Sequence, residues 1–178
     1  MTEGNEPGRL VYVWVREGTW RAAVDAALNL APPGSRFTLL YVTSEEGPDA
    51  ARGAYAGLFG RGRPDPATRL AAEAAASAAR LLEEAAARLG QRGSGQVCDR
   101  LALEGRTERV VVSASAHADL LVVARDGDQA RLGPKSLGRA TRFVVDHAAC
   151  PVLLVWPGAV PGLTSIPPPP HHPSPPGH

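Results

Sequence analysis

Seven charged side chains crowd one short stretch of this 178-residue chain. Between positions 125 and 142 stand the cations Arg125, Arg131, Lys135, Arg139 and Arg142 and the anions Asp126 and Asp128. Gly127, Gly133 and Gly138 and the hydroxyls of Ser136 and Thr141 lie among them. Glycine lets an anion approach backbone N–H groups closely, hydroxyls add donors, and arginine grips oxyanions through paired N–H bonds. Such a loop, opening toward a helix N-terminus, suits a phosphate or a similar anion. The same residues also read as a solvated loop of local Asp–Arg pairs, each worth about 0–1 kcal/mol. Both readings stand on the residues alone. The run Gly133-Pro134-Lys135-Ser136 is not a Walker-type phosphate loop, because the upstream glycine spacing is wrong.

No catalytic constellation accompanies this loop. Asp146 and His147 are sequence neighbours on an expected helix and cannot face each other. His147 reads as a C-terminal helix residue favoured by the helix dipole. His117 reads as a surface turn residue. Cys98 and Cys150 are too few for a disulfide framework, and Cys150, just before Pro151, reads as a small hydrophobe. His171, His172 and His178 make a weak metal set, and no metal site is expected. Trp14 and Trp20 are expected to flank the ligand crevice, where indoles either stack a base or fill core space. Tyr55 and Phe59, four apart, share one face of a short expected helix that either holds the long 44–66 connection down or covers a ligand.

The elements that must position these groups are legible as runs. Leu120 to Val123 and Val152 to Val155 are apolar, too short for helices, and fit buried parallel strands. With the glycine-rich loop and an amphipathic segment between them they form a strand–loop–helix–strand unit. Leu10 to Val15 and Phe37 to Val42 are further expected strands, and Val97 to Leu103 an edge strand. Gly18 and Thr19 open a helix through Leu30 that Pro32-Pro33-Gly34 stops. A second helix is expected from Ala67 to about Leu89, with Asp65 as N-cap, Pro66 at the first position and Gly90 as terminator. A third runs from Glu108 to Ala116, capped by Thr107. Strict strand–helix alternation argues a parallel sheet with helices on both faces.

Composition bounds the rest. A formal net charge of +1 gives no electrostatic case for nucleic acid or an anionic membrane. No apolar run approaches the ~20 residues of a membrane span. Met1 to Gly8 is polar without a signal-peptide core, so a cytoplasmic location is expected. Residues 1–8 read as a disordered lead, 9–156 as one domain, and 157–178 as a disordered tail carrying nine of the seventeen prolines.

The stretch from Ala118 to Trp156 resembles the universal stress protein family. Leu137-Gly138, Thr141, Val144-Val145, His147-Ala148 and Cys150-Pro151-Val152-Leu153 fall in register with that family's closing motif, and the likeness extends over Arg9 to about Trp156. The resemblance implies a five-stranded parallel α/β sheet of strand order 3-2-1-4-5, Rossmann-like and related to the adenine nucleotide alpha hydrolase fold. It also implies a homodimer paired through the last strand. In nucleotide-binding members the last loop reads Gly, two residues, Gly, nine residues, then Gly-Ser or Gly-Thr, and an aspartate ends the first strand. Here the aspartate position is Val15 and the first glycine is Ala124. Ten residues separate Gly127 from Gly138, Arg139 replaces the hydroxyl, and Thr141 remains. The candidate ligand residues are therefore Val15, Val42, Ala124, Arg125, Gly127, Gly138, Arg139 and Thr141. The expected function is a cytoplasmic stress-response protein sensing an adenine nucleotide or other phosphorylated ligand through a degenerate site. ATP or another adenine nucleotide is the candidate ligand, and no cofactor is assigned. The alternative is a dimeric interaction module of the same fold that binds no nucleotide. A hydrolase would rest on fold analogy alone, and no enzyme activity is expected.

Overall fold

The computed structural model describes residues 8–44, 66–92 and 97–168. The expected helix around Tyr55 and Phe59, the Asp65 cap, and His171, His172 and His178 lie outside the described residues. Five strands alternate with helices: β1 (Leu10–Trp14), α1 (Trp20–Leu30), β2 (Arg36–Ser44), α2 (Pro66–Arg92), β3 (Cys98–Gly105), α3 (Thr107–Ala114), β4 (Leu120–Ala124), α4 (Arg139–His147) and β5 (Val152–Val155). All strand pairings are parallel, in the order β3-β2-β1-β4-β5. This is the fold class that the alternation and the family resemblance imply.

Alternate side chains of β1 serve two cores, which is why its apolar run is unbroken. Val11, Val13 and Val15 pack with Val24 and Ala27 of α1 and with Leu82 and Leu89 of α2. Trp14 points the other way, to Leu40, Val42, Val111 of α3 and Val144 of α4. Each large apolar side chain so buried contributes about 1.5–3 kcal/mol. Trp14 and Trp20 thus belong to opposite cores and do not share one crevice, contrary to the expectation. Both fill core, at 2% and 5% exposure.

Several boundaries differ from the sequence reading for local reasons. The helix expected to stop at Gly90 runs through it to Arg92. A glycine ends a helix by turning left-handed, and Gly90 has no positive φ. Helix α3 includes Thr107 as its first residue and ends at Ala114, two residues early. There the buried Ser115 hydroxyl and its backbone N–H both donate to the Val111 carbonyl, at 2.8 and 3.1 Å, and the hydroxyl takes up acceptor capacity at the helix end. Val15 lies just past β1, with its N–H donating to Leu40 O at 2.8 Å. The tail was expected to be disordered from Pro157. Over 157–168 it instead carries a 3-10 turn at Leu163–Ser165, and Leu132 N donates to Ser165 Oγ at 3.0 Å. Residues 169–178 lie outside the described residues.

Candidate functional site

Strands β1 and β4 are neighbours, with Val13 opposite Val122, while their connections leave toward opposite sides of the order. Such a switch point makes a crevice at the carboxyl ends of the strands. Arg16 follows β1 and Asp126 follows β4, and their side chains form an ion pair across it. Arg16 also donates to Thr141 Oγ1 at 3.2 Å and lies 4.8 Å over the Trp14 ring. The other oxygen of Asp126 accepts from Gly138 N at 2.8 Å, at the N-terminus of α4. Four groups thus converge on the first turn of α4, and Thr141 is fully buried there.

The glycine-rich loop closes on itself. Gly127 N donates to Ser136 O at 3.0 Å and Asp128 N to Lys135 O at 2.8 Å. Ser136 is fully buried, and its hydroxyl donates to Gly133 O at 2.7 Å. Arg125 donates to that hydroxyl and stacks 4.6 Å over Trp156, with its Nε buried and unpartnered. Arg131 pairs with Asp128 at 3.2 Å, and Arg142 donates to Pro134 O at 2.7 Å. The local Asp–Arg pairing weighed from the sequence is therefore present. The side chain of Arg139 is exposed and holds no ion pair among the described residues.

A cleft of about 690 Å³ opens beside this cluster, between the first turn of α3, α4 and the end of β2. Arg16, Arg106, Arg139 and Arg142 line it, against Glu108 and Asp146, with Ser44, Thr107 and His147 adding polar groups. Arg106 pairs with Glu108 at 2.6 Å. With Arg16 already paired to Asp126, one excess positive charge faces the space, His147 not counted. His147 turns back on its own helix, stacked on Phe143 at 4.0 Å between centroids, with Nδ1 2.9 Å from Phe143 O.

Of the eight candidate residues, Arg139 lines the cleft, and Gly138 and Thr141 stand at its Arg16 end. Gly127 faces the Lys135–Ser136 backbone, and Arg125 faces Trp156. Val15, Val42 and Ala124 are core residues at 1%, 8% and 4% exposure. The sequence reading missed the partnership of Arg16 with Asp126 and the contribution of Arg106. The available signal was a charge placed two positions past the end of each of two apolar strands. Cys98 and Cys150 are free, and burial pushes both thiols up, so neither is poised as a thiolate. Among the described residues no group of three or more His, Cys, Asp or Glu is placed to hold a metal. No described helix is long and apolar enough to cross a membrane.

A sequence profile of the universal stress protein family matches residues 16–155. No curated protein matches the chain. Among solved structures, universal stress protein UspA from Lactobacillus plantarum is 21% identical, over 85% of this chain and 99% of its own, with a TM-score of 0.63. A universal stress protein family protein from Arabidopsis thaliana, solved with AMP bound, is 19% identical over 85% and 93%, with a TM-score of 0.59. The universal stress protein from Archaeoglobus fulgidus, solved in complex with dAMP, is 17% identical over 84% and 98%, with a TM-score of 0.51. At these identities the likeness shows the fold.

Proposed function

From the premise that this chain belongs to the universal stress protein family, we propose that it is a cytoplasmic stress-response protein that senses a phosphorylated ligand, an adenine nucleotide foremost, in the arginine-lined cleft. The observation that carries this reading is the 690 Å³ space at the carboxyl ends of the strands, with Arg139 at its wall and in no ion pair among the described residues. Relatives of the same fold solved with AMP and dAMP support the ligand class. The grip differs from that of a glycine loop. The N–H groups of Gly127, Asp128 and Gly138 are already engaged, so arginine carries the anion. ATP binding is accordingly weak. The protein works as a binding module without a catalytic step, since Asp146 and His147 stay neighbours on α4 and His147 is held by Phe143.

Native mass spectrometry of freshly purified protein, followed by thermal shift against a nucleotide panel, tests this. A retained phosphorylated molecule, or a shift abolished by Arg139→Ser, is expected. An empty protein with no shift from any nucleotide overturns the reading. A second reading, a dimeric interaction module without a nucleotide, is favoured by the same internal pairing of the loop. It predicts protein partners in pull-downs and no retained small molecule.

A further inference from the structure

We propose that Asp126 is the specificity-determining residue of this cleft: its carboxylate fills the oxyanion position at the N-terminus of α4 and keeps a ligand's phosphate out of it. The inference rests on the cleft being a ligand site. A bound oxyanion there would need a cation, a helix N–H and a hydroxyl. All three are present, as Arg16, Gly138 N and Thr141 Oγ1. Asp126 already takes Arg16 with one oxygen and Gly138 N–H with the other. It supplies one negative charge and two acceptors, the minimum an oxyanion would bring. Its side chain is 12% exposed, and its carboxylate oxygens lie 2.6 and 3.0 Å from where a Cβ on Gly138 would stand. No second anion fits beside it without like-charge repulsion.

This occupancy sets the ligand class. A polyphosphate laid along the α4 N-terminus must displace Asp126 from two charge-assisted bonds. An anion carried farther out, beside Arg139, does not have to displace Asp126. The cleft therefore selects a ligand with one terminal phosphate over one with a triphosphate chain. Arg16 is the positioning residue, held over Trp14 and between the carboxylate and Thr141.

The test uses inorganic phosphate and pyrophosphate as probes, read by calorimetry and thermal shift on the full chain. Asp126→Ala should bind phosphate about 10- to 100-fold more tightly than wild type, the span of one charge-assisted bond, and pyrophosphate by a larger factor. Asp126→Asn keeps an acceptor for Gly138 N without the charge and should gain less. Adding Arg16→Gln to Asp126→Ala should abolish the gain. Circular dichroism and a cooperative melt establish that each variant is folded, and Asp126→Asn decides the matter if the alanine variant does not fold. Phosphate binding no tighter than wild type in the folded variants overturns the proposal, as does a gain that survives the loss of Arg16. Arg139→Ser in the wild-type background separates this from the cleft reading. If it weakens binding of AMP while the Asp126 variants leave phosphate binding unchanged, the cleft stands and this inference falls.

Discussion

At the scale of single residues, the glycines expected to admit a phosphate admit the chain itself. A Cβ on residue 127 would stand 2.3 Å from Lys135 O and 2.7 Å from the Ser136 carbonyl carbon, both backbone atoms. The three atoms nearest a Cβ on residue 138 all belong to the Asp126 carboxylate, the closest at 2.6 Å, and a side chain can turn away. Gly127→Ala should therefore destabilise the protein by about 1–3 kcal/mol, an overpacking cost, and by more than Gly138→Ala. Urea titrations of the two variants check the order. Equal midpoints would show that the loop backbone yields as easily as a carboxylate. Val15 also changes meaning at this scale. At 1% exposure an aspartate there would be buried among Val11, Val13 and Val24, so restoring the family's residue would cost stability before it helped a ligand.

At the scale of elements, the first turn of α3 carries a pH-dependent contribution. The Glu108 carboxyl is held below its usual 4.5, first by the hydrogen bond from its own backbone N–H and, against desolvation, by Arg106. A depressed folded-state pKa adds stability that is present above the unfolded value and disappears as pH falls through the folded one. Wild type should therefore be more stable than Glu108→Gln at neutral pH, with the gap closing in acid below pH 4.5. The effect is small because Arg106 is exposed and the pair is screened. Denaturation midpoints of both proteins at neutral and acid pH test it, and a gap that stays constant removes Glu108 from the acid response. The same turn lines the cleft through Arg106, Thr107 and Glu108, so acid also alters the charge facing a ligand.

At the scale of the whole molecule, β5 is an edge strand with all four residues half-buried. Leu153 and Val155 turn toward one core and Val152 and Leu154 toward the other, leaving one row of backbone groups without a neighbouring strand among the described residues. An apolar edge of this kind invites pairing with another chain. Pairing of two β5 edges about a two-fold axis covers both, and we predict a homodimer. Sedimentation at protein concentrations on the order of tens of micromolar, where weak dimers populate, should give the dimer mass. Leu154→Lys should shift it toward monomer while keeping the wild-type circular dichroism spectrum. A wild type that sediments as a monomer contradicts the prediction.

What the chain determines locally, it declares. The unbroken β-branched and aromatic run Leu10–Val15 and the short run Val152–Val155 place these strands without a structure. Side-chain periodicity is a property of neighbours in sequence, and the closing motif around Leu137 to Leu153 adds strand order by resemblance. The extent of α2 and α3 was less legible, because Gly90 stops a helix only in a left-handed turn and Ser115 acts only once its hydroxyl finds Val111 O. The site was least legible. Arg16 reaches Asp126 across 110 positions and Thr141 across 125. That meeting exists only because β1 lies beside β4, which sets their carboxyl ends together. The sequence alone determined that charges, glycines and hydroxyls would gather after β4. Only the tertiary structure decided that they satisfy one another first, because a hydrogen bond is settled by proximity in space and two strands far apart in sequence supplied the partners.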